Sequence, residues 1–250
     1  MSVIRLTLPE RWQAMTPDQL LLFSRMSLNS SSPTELKCRL AIELNDLKLV
    51  RRHFIPDVYE FKKGGIKFNM DADLFSSIVS KLDFLDTPPE NISPPAIKGF
   101  RAPDSRLYGV VLEQWFIADS YFAAYTASNS SNAINCLVAA LYFPPGHKWV
   151  LGTDVQALAI RFTKVPAHVK HLVYLWYYSA KLMLMQKYWY VFNSSDQQSN
   201  APADEIVMAT IGALNGGNVA NNDKVKLTEV HEALFELNRL IEISKNKKHV

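Results

Sequence analysis

The stretch LVYLWYYSAKLMLMQKYWYVF, Leu172 to Phe192, limits what this chain can fold into more than any other. Aromatic and aliphatic residues follow one another there almost without a break. A bilayer span needs roughly twenty predominantly apolar positions. Lys170 and Lys181 leave only ten residues between them, so a membrane span is not expected. On a helix, Leu172, Leu175, Trp176, Ser179, Leu182, Met183, Gln186 and Trp189 or Tyr190 fall on one side. Tyr174, Tyr177, Tyr178, Lys181, Leu184 and Lys187 fall on the other. An apolar arc this wide suits the central helix of a bundle, with a protein-binding surface as the alternative. A stacking platform for nucleic acid sets its aromatics beside a cationic groove. Here only Lys170, Lys181 and Lys187 lie close. The net charge of +3, from 27 basic and 24 acidic residues, adds no clustered basic face. The expectation is therefore no nucleic acid and no membrane.

With 250 residues, 48% hydrophobic and 20% charged, the chain has the profile of a globular protein able to bury a sizeable core. Cys38 and Cys136 are far apart and sit in apolar, helix-like stretches. They read as small buried hydrophobes in a reducing compartment. The opening MSVIRLTLPERW has neither a basic leader nor an uninterrupted apolar run, so no signal peptide is expected and the protein reads as cytosolic.

Val3 to Leu8 alternates apolar and polar residues and predicts a half-buried strand. Thr16, Pro17 and Gln19 form a capping-box signal for a helix to about Leu28. A second helix from Pro33 carries Leu36, Leu40, Leu44 and Leu47. Tyr59 to Met70 reads as a β-hairpin turning at KKGG, because glycine supplies the positive φ a tight turn needs. DADLFSSIVSKLDFL follows as an amphipathic helix capped by Asp71. Asp86 to Asp104 holds five prolines. Proline blocks helix and removes backbone donors, so this segment is the best candidate for an internal boundary, between residues 1–85 and 105–250, with one compact domain as the alternative. Beyond it, Arg106–Tyr125, Ser131–Tyr142, Leu172–Phe192, Ala203–Leu214 and Leu227–Lys245 all fit helices. The whole predicts a mostly α fold: a helical bundle with a small β element, the N-terminal strand plus the hairpin.

No pattern of chemistry rises above this framework. His168 and His171 are three apart, but two histidines without a third ligand do not make a zinc site. G-x-S-x-G is absent, and GHKWVLGTD lacks the order that cradles phosphate. GALNGG falls at a helix end and reads as a cap. Glu113 and Asp119 lie nearly opposite each other on a helix, the wrong spacing for an acid–base pair. No catalytic, cofactor-binding or metal-binding residue is nominated, and the chain is not expected to be an enzyme. The clearest partner-binding candidates are Leu227, Val230, Leu234, Leu237 and Ile241. Their 3-4-3-4 steps make a short seam that either docks on its own domain or pairs with another chain. The basic tail SKNKKHV follows.

Four stretches carry a resemblance: LPERWQAMTPDQLLLFSRM, WFIADSYFAAY with NAINCLVAALYFPPG, VPAHVKHLVYLWYYSAKLMLMQKYWYVF, and MATIGALNGGN with TEVHEALFELNRLIE. In this order the chain resembles a family of proteins encoded among the tail-assembly genes of tailed phages and prophages. The resemblance covers most of the chain, apart from the Pro-rich connection and the hairpin. It implies a protein made in the host bacterial cytoplasm with a non-enzymatic, chaperone-like role in tail assembly. The implied partner is the tape-measure protein or another tail protein. A permanent virion component, and an enzyme with an unrecognised site, are the alternative readings.

Overall fold

The structure is a computed structural model and describes residues 4–54, 57–193 and 203–247. The chain divides into two compact units. Met1–Ile92 with Ala167–Leu172 forms the first, and Ser93–Pro166 with Val173–Val250 the second. The fold is mostly α with a small three-stranded antiparallel sheet.

The first unit begins with an extended segment and a 3-10 turn, Trp12–Ala14. Helix α1 (Pro17–Ser27) starts where the capping box predicts. Thr16 accepts from the Gln19 amide, and the Gln19 side chain accepts from the Thr16 amide. Helix α2 (Pro33–Leu44) is capped by Ser32. It ends before Leu47, because Asp46 turns the chain through φ 50° and the Leu47 amide bonds back to the Ile42 carbonyl.

The sheet holds β1 (Lys48–Phe54), β2 (Asp57–Lys63) and β3 (Ile66–Asp71), in the order β1-β2-β3. The predicted hairpin is β2 and β3, turning at Gly64 and Gly65 with φ of 53° and 91°. The predicted N-terminal strand is not in the sheet. Val3 lies outside the described residues. Ile4 to Leu8 makes no ladder, and its Thr7 amide bonds the Asn45 side chain instead. Alternation marks any extended segment lying on a core, whether or not a neighbour pairs with it. The missed strand is β1, which is exposed along nearly its whole length and so carries no clean alternation. Phe61, fully buried, packs from the sheet against Phe75 of helix α3 (Ala72–Val79). The chain then runs on as a 3-10 segment, Ser80–Asp86. Buried Lys37 of α2 bonds Asp83 at 2.6 Å and Asp86 at 2.5 Å there.

The second unit is built from helices α4 (Leu112–Ser128), α5 (Ser131–Leu141), α6 (Val155–Ala159), most of α7 (Ala167–Lys187), α8 (Trp189–Phe192), α9 (Ala203–Leu214), α10 (Asn222–Lys226) and α11 (Val230–Lys247). Every residue from Ala133 to Leu141 is buried, so α5 is the centre. Asn135 is the one polar residue in that run, and a helix so apolar is stable only in such a place. The aromatic stretch from Leu172 supplies much of the core as well, although Trp189 near its end is 60% exposed. Trp176, Tyr177 and Leu184 are fully buried, and the Trp176 indole donates to the Ser105 carbonyl at 3.0 Å. Tyr142 is 1% exposed and donates its hydroxyl to the Pro95 carbonyl. Cys136 is buried as expected, whereas Cys38 is half-buried; both are free thiols. Residues 106–111 are not helical, since Leu107 and Gly109 take φ of 67° and 77°. No helix among the described residues is long and apolar enough to cross a membrane.

Candidate functional site

Helix α4 has two apolar faces. Leu112, Trp115, Ala118, Phe122 and Tyr125 point into the core. Phe116, Ile117, Ser120 and Ala123, spaced for the other side, line a groove of about 810 Å³. The opposite walls come from Met185 of α7, Phe192 of α8, Ile206 and Thr210 of α9, and Leu234 and Leu237 of α11. The lining is predominantly apolar, as binding clefts are.

Backbone pairing sets the width. The Leu112 amide donates to the Thr228 carbonyl at 2.9 Å, and the Val230 amide to the Val110 carbonyl at 2.8 Å. These two bonds lock the start of α4 to the start of α11. Asn238 of α11 accepts from the Tyr190 amide and so holds α8 in place. Buried Gln114 donates to the Ala140 carbonyl and fixes α4 on α5. Polar groups at the rim are engaged. Asp119 pairs with Lys181 at 2.7 Å and accepts from the Tyr177 hydroxyl at 3.4 Å. Burial, and then the Asp119 charge, push the Tyr177 phenol far above its usual value, so it stays a donor. Glu113 accepts from the Trp149 indole at 2.8 Å. Such a groove is suited to burying apolar surface.

Helix α9 is the unusual wall. From Ile206 to Leu214 it carries no charge, yet only Ile211 is buried among its described side chains. Ile206 is 39% and Met208 58% exposed. An apolar helix this open gains little from folding alone.

The predicted seam divides. Val230, Leu234 and Leu237 are buried, and the last two line the groove. Ile241 is half-buried. Leu227 is exposed and lies before α11, at the end of α10.

A second cleft, of about 690 Å³, lies over His231. The His231 Nε2 sits 2.7 Å from the Arg106 carbonyl, an acceptor, so Nε2 carries the proton. Nδ1 accepts from the Tyr188 hydroxyl at 2.9 Å, and Tyr108 stacks on the ring at 4.2 Å. Glu229 accepts from the His231 and Glu232 amides. This network ties α11 to the loop before α4. Among the described residues, no group of three His, Cys, Asp or Glu side chains could hold a metal ion. No family model, curated protein or solved structure matches the chain.

The groove itself was not read from sequence, because its walls come from helices far apart in the chain. Two signals pointed towards it: apolar residues on opposite faces of α4, and an α9 almost free of charge.

Proposed function

We propose that the protein is a non-enzymatic assembly factor that holds an apolar, helical segment of another protein in the groove between α4, α7, α8, α9 and α11. The observation that carries this reading is the groove itself: a wide apolar cleft whose α9 wall leaves apolar side chains in water. An amphipathic helix laid in such a groove buries anchors at i, i+3, i+4 and i+7 spacing. The resemblance to phage tail-assembly proteins supplies the kind of partner. A tape-measure protein is long, helical and apolar until the tube closes around it, and a chaperone that covers it needs this kind of surface.

The test uses the tagged full chain in cells where the phage or prophage is induced, beside proteomics of purified particles. The expected result is that the tape-measure protein co-purifies with the wild type and the chain is missing from particles. Phe116→Asp and Ile206→Lys, at part-exposed positions on opposite walls, should release the partner while keeping the helical signal. Stoichiometric presence in particles would make the protein a virion component instead. Retention of the partner by both variants would move binding away from the groove.

A further inference from the structure

The three-stranded sheet of the first unit carries a row of like charges. Lys48, Lys62 and Lys67 stand directly opposite one another across β1, β2 and β3. Residues paired this way share a face, and like charges directly opposite are destabilising. The register of β1 shifts between Leu49 and Arg51, so that Arg51 rather than Val50 stands opposite Glu60. The irregularity brings Arg51 onto the face of Lys48, an effect that bulges have on side-chain direction.

The carboxylates of that face neutralise only the Lys67 end of the row. Glu60 pairs with Lys67 at 3.1 Å. Asp71 caps α3 by accepting from the Leu74 amide. Lys48, Arg51 and Lys62 have no ion pair among the described residues.

β1 is also an edge strand. Beyond its ladder with β2 it makes no backbone hydrogen bond among the described residues. Leu49 is 46% and Val50 43% exposed along it. Unpaired backbone groups on an edge are a template for another strand. We infer that β1 and the cation row together accept an extended acidic segment of a partner protein, added as a fourth strand. Alternation along that strand sets carboxylates beside Lys48 and Arg51 and apolar residues beside Leu49. A nucleic-acid strand fits less well. The face offers no aromatic platform for bases, and Glu60 and Asp71 stand among the cations. The site lies wholly in the first unit and stands independently of the groove.

The test uses the full chain and a short fluorescent peptide alternating glutamate and valine. Glutamine–valine and lysine–valine peptides, oligo(dT) and anionic vesicles serve as comparisons. Only the glutamate peptide should raise the anisotropy, with amides of residues 48–54 gaining protection from hydrogen exchange. Joint Lys48→Glu and Lys62→Glu substitution should weaken it by about tenfold or more. Lys62→Glu alone should also raise the melting temperature, because a carboxylate then stands between Lys48 and Lys67 and both like-charge pairs are relieved. Equal binding of the glutamine peptide would overturn the proposal. So would protection elsewhere than β1, unchanged affinity in the double variant, or a preference for oligo(dT) or vesicles.

Discussion

Burial holds the His171 imidazole down, from 6.5 to about 4, so the folded chain resists a proton that the unfolded chain accepts. Stability is therefore complete above about pH 6.5 and falls as pH drops towards 4, by roughly 3 kcal/mol in total. Urea midpoints at neutral pH and near pH 4.5 should show the loss, and His171→Leu should flatten it. At the groove, two side chains of similar chemistry separate by burial. Leu234→Ala removes a residue only 1% exposed and should cost about 2–5 kcal/mol in denaturant melts. Phe116→Ser, part-exposed on the opposite wall, should cost far less stability and lose partner instead. Residue identities told much of this in advance. The aromatic stretch from Leu172 supplies much of the core, although Trp189 near its end is 60% exposed. They told less where a side chain sits at a margin: Cys38 is half-buried because its side of α2 is only partly covered.

Elements were legible where a local signal starts or stops them. Thr16 and Gln19 announced α1, and Thr16→Ala should cost about 1 kcal/mol by removing its cap. Gly64 and Gly65 announced the hairpin. β1 was not legible, because a strand exposed on both faces has no hydrophobic period to read. Leu47 looked helical by spacing alone; the turn at Asp46 decided otherwise. Helix α9 is far less buried than helix α5, and native-state hydrogen exchange should show it. Amides of α9 should exchange orders of magnitude faster than those of α5, since local opening is cheapest where few apolar contacts are lost. Equal protection in the two helices would mean that α9 is held by more than Ile211.

At the scale of the molecule, the mostly α architecture with one small sheet followed from composition and periodicity. The groove did not. It depends on how α4 and α11 are joined by backbone bonds at Val110, Leu112, Thr228 and Val230, and pairing between distant segments leaves no mark in either one. The same bonds make the groove a property of the folded unit as a whole. Weakening it without unfolding should therefore be possible only at wall positions such as Phe116 and Ile206.

The apolar side chains that α9 leaves in water also set a calorimetric signature. Covering them removes hydrated apolar surface, and that lowers heat capacity. The enthalpy of partner binding should then grow steadily more favourable on warming, with a slope set by the apolar area buried. A complex held by rim charges alone would show an enthalpy almost indifferent to temperature. Titration at a few temperatures thus reads from heat alone whether the cleft or its border makes the complex.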